Sequence, residues 1–204
     1  MEVDRPGPGE ELNDGPPTEP RRAATVIVLR GGSQRLEVLL VQRNPASRFM
    51  GGAWVFPGGA LDGAEDPRTA AVREVREEAG VALPDPSGLV EFSRWITPAE
   101  VRIRFDTHFF LAPAPDDAEP RPDGGETVGA AWHAPAHALA LYERGELELV
   151  FPTIKTLQQL TGFATASELL SWAAGRTVEA IEPQVVVEGE VARIVLPGEP
   201  GYRD

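Results

Sequence analysis

The chain has 204 residues, 42% of them hydrophobic, a formal net charge of −13 and no cysteine. That length fits one domain with enough apolar content for a core, the missing thiols exclude a disulfide framework and a thiolate zinc site, and the acidity argues against a non-specific hold on nucleic acid. No basic-then-apolar signal sequence opens the chain and no apolar run approaches the ~20 residues that span a bilayer, so a soluble, cytoplasmic protein with no membrane partner is expected.

Residues 1–20 combine proline, glycine and acid with almost no apolar content and read as a disordered acidic tail, leaving a single domain over 21–204. Ala23 to Leu29 and Leu36 to Gln42 are aliphatic runs around the turn residues Gly31, Gly32 and Ser33, which predicts paired strands. The loop from Arg43 then contains Gly51, Gly52, Gly58 and Gly59, where backbone can approach a ligand closely. Arg43 and Arg48 are the nearest cations, suited either to fork-like contact with phosphate or to lying over Trp54 or Phe49.

The next stretch, FPGGALDGAEDPRTAAVREVREEAGV from Phe56 to Val81, is the most informative. Asp66 and Pro67 predict a helix start, and Gly80 a left-handed stop. Ala71, Val72, Val75 and Ala79 supply a small apolar face. Glu74, Glu77 and Glu78 stand at i, i+3 and i+4, so three like charges are expected on one face. A hard divalent cation such as Mg²⁺ or Mn²⁺, which takes oxygen ligands, would relieve that repulsion and would let an acidic protein hold an anionic phosphate compound.

Beyond it, Leu89 to Ile96 and Ile103 to Leu111 read as strands, with His108 a structural sheet histidine. Residues 113–125 form a Pro-rich loop of the kind that often covers a site. Glu126 opens another strand; His133 and His137, four apart in a helix-like segment, lack a third ligand nearby. Pro135 to Arg144 and Thr153 to Leu160 show helical spacing, and Thr165 to Glu168 is a capping-box pattern. Two apolar runs, Pro183 to Val187 and Val191 to Leu196, predict a hairpin.

Gly59, Glu65, Arg73, Glu74, Val75, Glu77, Glu78, Gly80 and Val81 together resemble the Nudix box, G-x5-E-x7-R-E-hydrophobic-x-E-E-x-G-hydrophobic, over residues 59–81. The resemblance implies an α/β Nudix fold, a mixed sheet sandwiched between helices, here followed by a C-terminal helix and β extension over about 162–204 that leaves a homodimer interface open. It implies a pyrophosphohydrolase in which Glu74, Glu77 and Glu78 bind Mg²⁺ or Mn²⁺ with the Gly59 carbonyl as a further ligand. Glu74 or Glu77 would be the general base, Glu126 the next candidate, and Arg73 would orient a box glutamate. Upstream, Leu39, Leu40, Arg43, Arg48, Gly52, Phe56 and Pro57, leading into Gly58 and Gly59, resemble the coenzyme A diphosphatase branch, although Val41 and Asn44 stand where that pattern has Thr and Ser. Ser93 to Ala112 and the Leu196 to Tyr202 end are similar to its peroxisomal type. The substrate so implied is a nucleotide diphosphate, coenzyme A or acyl-coenzyme A cleaved to 3',5'-ADP and (acyl-)phosphopantetheine, with substrate contacts at Arg43, Arg48, Gly58 and Gly59. ADP-ribose, NADH or another nucleotide are the alternatives within the family; a non-catalytic ligand sensor or partner-binding module is the alternative outside catalysis.

Overall fold

The computed structural model describes residues 12–13, 15–32, 34–47, 49–188 and 191–203. Arg48, most of the expected tail, and Gly189 and Glu190 of the expected hairpin turn therefore lie outside the described residues. Strand β1 (Arg21–Arg30) is buried over seven successive residues, as a strand covered on both faces must be. It pairs parallel with β6 (Phe105–Pro113) along its length, and antiparallel with β2 (Glu37–Arg43) only at Leu29 and Arg30. Its other end pairs with β4 (Gly58–Ala60), Thr25 opposite Gly58 and Ala24 opposite Gly59. Strand β2 carries on to β3 (Trp54–Val55) and β7 (Thr127–His133), while β6 is joined by β5 (Val90–Ile96) and then β8 (Ala180–Ile181).

Because side chains alternate across a strand, β1 sends Ala24, Val26 and Val28 to one face and Ile27 and Leu29 to the other. The first set packs on Ala71, Val75 and Ala79 of α1 (Pro67–Ala79), and the second on Ile154 and Leu157 of a helix below it. The lower layer comprises α2 (Pro135–Glu143), α3 (Phe151–Leu160) and α4 (Ala166–Ala173). A mixed sheet between helices is thus the architecture. None of the helices among the described residues is long and apolar enough to cross a membrane.

The local signals correspond to physical caps. Asp66 accepts the Arg68 N–H at 2.9 Å, Pro67 takes the first turn, and Gly80 closes the helix at φ 65°. Helix α3 begins at Phe151 rather than Thr153, because Pro152 is at home in a first turn where its missing N–H costs nothing. Thr165 caps α4 by accepting the Glu168 N–H at 3.1 Å, but the Glu168 carboxylate returns to the Ala164 N–H rather than to Thr165. The C-terminal strands β9 (Gln184–Glu188) and β10 (Val191–Val195) pair antiparallel as a separate two-stranded sheet. Of residues 1–20, those described from 12 onward run beside the loop at 98–104: the Asn13 N–H donates to the Glu100 carbonyl at 2.7 Å and Arg104 Nη1 to the Thr18 carbonyl at 2.8 Å.

Candidate active site

The site forms where β4 passes over α1. The Gly58 N–H donates to Glu78 Oε2 at 2.9 Å, which anchors that carboxylate under the strand. Gly59 lies directly on Glu74: a Cβ at position 59 would stand 2.5 Å from Glu74 Oε1, so the carboxylate would have to move. Glycine leaves that carboxylate its place and is not here for an unusual backbone angle. Arg73 spans the outer side, donating from Nε and Nη2 to Glu65 at 3.2 and 3.0 Å, and from Nη1 to Glu74 Oε1 at 2.8 Å and Glu77 Oε2 at 2.9 Å. Its fork thereby fixes three carboxylates at once, which a lysine could not do.

Helical geometry separates the two adjacent glutamates. At about 100° per residue, Glu78 turns inward and is buried, while Glu77 turns outward and its side chain stays 58% exposed against Arg73. Glu74 and Glu77 nonetheless meet at the same Arg73 nitrogen, so the three carboxylates occupy neighbouring positions on one flank of α1, with Glu74 and Glu78 buried toward the sheet and Glu77 the most exposed. Burial pushes the Glu78 carboxyl up to about 7, with nearby Glu74 and Glu126 pushing the same way, against the Gly58 N–H and Arg43. Burial also raises Glu74, partly offset by Arg73 and reinforced by Glu77 and Glu126. The Arg73 hydrogen bond holds Glu65 below the usual carboxylate range.

Glu126 reaches this cluster through a tight turn. Asp123 accepts the N–H groups of Gly125, Glu126 and Thr127 at 3.1, 3.0 and 2.7 Å, which pulls its carboxyl down to about 2. The Thr127 hydroxyl lies 2.6 Å from the Glu78 carbonyl and 2.8 Å from Asp123, sharing its proton between them and tying the turn to α1. Asn44 completes the clasp, its N–H donating to the Glu126 carbonyl at 2.8 Å. Asp123 and Thr127 were not singled out by sequence reasoning, although Asp before Gly-Gly is a turn signal that could have drawn attention to them.

A cavity of about 480 Å³ opens beside these groups. Gly59, Glu74, Arg43 and Glu126 are in its wall; Gly58 and Glu78, bonded to each other, and Arg73 and Glu77 are not. Arg43 is half-buried and donates from Nε to the Phe49 carbonyl at 3.3 Å. Arg21, which sequence reasoning passed over because it sits at a strand end, is a second cation in the wall. The remaining wall is mostly apolar and aromatic.

The donor set suits a hard divalent cation: carboxylates with a glycine carbonyl, no sulfur, and a Gly59 surface with nothing between backbone and Glu74. No trio of His, Asp or Glu among the described residues forms a ready-made cage, so a cation would gather these carboxylates rather than enter a finished site. The histidines stay out of this chemistry. His108 Nδ1 lies 2.8 Å from Glu91 Oε1 with its ring stacked on Phe110, a sheet histidine. His133 closes β7 rather than entering a helix, and its ring stands 6.0 Å from that of His137.

Fold and site together define a hydrolase of phosphoanhydrides: a sheet between helices, with a carboxylate-bearing helix under a glycine strand. The NUDIX domain model matches residues 19–153, about two thirds of the chain, so the chain belongs to the Nudix family and is a Nudix hydrolase. It is 24% identical to the acyl-coenzyme A diphosphatase NUDT19 of Homo sapiens, over 91% of this chain and 81% of that protein. The crystal structure of a NUDIX hydrolase from Alicyclobacillus acidocaldarius superposes with a TM-score of 0.67 at 29% identity, covering 76% of this chain and 96% of that one. A MutT NUDIX hydrolase from Burkholderia pseudomallei gives 0.55 at 25% identity, over 70% and 98%.

Proposed function

We propose that the protein is a divalent-cation-dependent diphosphatase acting on coenzyme A or its acyl esters, releasing 3',5'-ADP and (acyl-)phosphopantetheine. The observation that carries this reading is one cavity whose wall joins carboxylates and a glycine strand to a mostly apolar surface. Its likeness to the human acyl-coenzyme A diphosphatase and the Leu39 to Gly59 pattern support the same choice.

Glu74 and the Gly59 carbonyl in the cavity wall, with Glu78 behind them, would hold Mg²⁺ or Mn²⁺, and Glu77, tied to Arg73 through Oε2, would add a further carboxylate. Such a cation, when bound, neutralises diphosphate charge and polarises the phosphorus toward attack. The chain's own groups do the rest. Arg43 steadies a phosphate oxygen, Arg73 holds Glu74 in place, and the exposed Glu126 carboxylate accepts a proton from water as its oxygen bonds to phosphorus. The bond from phosphorus to the bridging oxygen breaks, and the leaving phosphate takes the electron pair.

The test is a panel of coenzyme A, an acyl ester, ADP-ribose and NADH, with Mg²⁺ and then with EDTA, following 3',5'-ADP or AMP by chromatography. Turnover of ADP-ribose with coenzyme A untouched would refute the substrate. Activity undiminished by EDTA or by Glu74→Gln would refute the cation mechanism.

A further inference from the structure

We infer that the apolar part of the cavity is a chamber for an aliphatic tail, closed by segments outside residues 19–153, and that it favours diphosphates whose second moiety ends in such a chain. This rests on the diphosphatase reading for the carboxylate end, and adds to it where selectivity resides.

Three observations converge. First, Glu74 and Glu126 line the same cavity as the apolar residues, so the second moiety of a diphosphate cleaved there extends into it, the pantetheine arm leading the acyl chain. Second, its wall draws on both ends of the chain. Leu12 precedes the family-matched span, Val185 and Ile194 follow it, and Val101 and Ile103 come from the loop between them. That loop joins the two: the Glu100 carbonyl accepts the Asn13 N–H at 2.7 Å, and its carboxylate accepts the Val185 N–H at 3.2 Å. Among the described residues β9 and β10 form no ladder with the main sheet; these contacts, the pairing of β8 with β5 just before them and the Arg104 bond to Glu182 hold the hairpin over the cavity. Third, Leu12 and Ile103, each 44% exposed, are two of the four large hydrophobics left exposed among the described residues, and both flank this one opening. Apart they would need no explanation; together at one mouth they extend the apolar wall outward, where an apolar ligand would cover them.

Aliphatic side chains predominate in the part built by the chain ends, and Phe49 and Phe105 meet tilted by 49° rather than as a parallel pair that would sandwich a base. The wall therefore suits a chain better than a nucleobase.

The experiment measures kcat/KM for free coenzyme A and its butanoyl, octanoyl and dodecanoyl esters, in the wild type and in Ile194→Asp and Leu12→Asp. A dansyl-labelled undecanoic acid is titrated separately by fluorescence. The chamber predicts a rise of about fourfold per buried methylene until it is full, mostly through KM. It also predicts that each variant lowers the ratio of dodecanoyl ester to free coenzyme A by about tenfold or more and weakens the dansyl probe in parallel. Leu12 is exposed, so its variant keeps the fold even should Ile194→Asp fail to. A flat ester series with cleavage intact overturns the chamber and leaves the diphosphatase standing. Saturable probe binding that the variants weaken, with every coenzyme A ester uncleaved, upholds the chamber and overturns the substrate. Probe binding absent, or equal in all three proteins, overturns the chamber in either case.

Discussion

Replacing Gly59 with alanine tests whether the close approach of β4 to α1 serves the chemistry. The new methyl would stand 2.5 Å from Glu74 Oε1 and 2.6 Å from its Cδ, so the carboxylate must retreat by roughly 1 Å to reach ordinary van der Waals separation. Retreat is resisted by the 2.8 Å hydrogen bond from Arg73 and by burial. Overpacking of this kind costs about 1–3 kcal/mol, which at a urea slope near 2 kcal/mol per M lowers the unfolding midpoint by about 0.5–1.5 M. A 1 Å displacement of a reacting group costs about 10²-fold in rate, so kcat should fall by that order while the folded protein still forms. Gly58→Ala supplies the contrast, because its methyl would meet the Ala24 carbonyl oxygen at 2.5 Å and the Thr25 Cα at 2.7 Å, backbone that cannot step aside. It should lose fold before it loses kcat. The assays are steady-state hydrolysis and urea unfolding by circular dichroism. Full activity in Gly59→Ala at unchanged stability would show that the position of Glu74 does not matter to turnover.

Arg73→Lys keeps the charge but cannot reach Glu65, Glu74 and Glu77 together, so kcat should drop about 10- to 100-fold with little change in KM, and a loss under twofold would sink its positioning role. Glu78 binds its proton more tightly folded, at about 7, than at its ordinary 4.5, so its contribution to stability is full below the lower value and lost as pH rises through the higher. The metal-free protein should thus show a falling Tm from about pH 5 to about pH 8, with the slope reduced in Glu78→Gln and the wild-type loss reversed by Mg²⁺; identical pH profiles would contradict this. Asp123 is depressed to about 2 from 3.8, so the stability it adds is present above the higher value and vanishes as pH falls through the lower. Asp123→Ala should lower kcat about tenfold by loosening Glu126, and its gap in urea midpoint from the wild type should close between about pH 4 and about pH 2; a gap independent of pH would refute the turn's role.

The residues that announce themselves in the primary structure are those whose partners lie close by in the chain. Asp66, Pro67 and Gly80 bound α1 as their types require, and the Arg73 to Glu78 spacing marks the chemistry, because caps and helical faces are decided within one or two turns. The aliphatic runs that became β1 and β2 are legible for the same reason, but their pairing is not. They touch only at Leu29 and Arg30, since β4 takes up the same edge of β1 from Ala23 to Thr25 and β6 runs along the opposite edge.

Local pattern by itself determined the capped acidic helix, the glycines before it, the strand-forming runs and hence the family. The tertiary structure alone decided that Glu78 is buried while Glu77 faces out, because the docking of α1 on the sheet, not the i, i+3, i+4 spacing, selects which carboxylates turn inward. It alone joined Thr127 to Glu78 across 49 residues, and brought Leu12, Ile103 and Ile194 to one cavity. Contacts between distant segments depend on how whole layers pack, and no short-range periodicity encodes that.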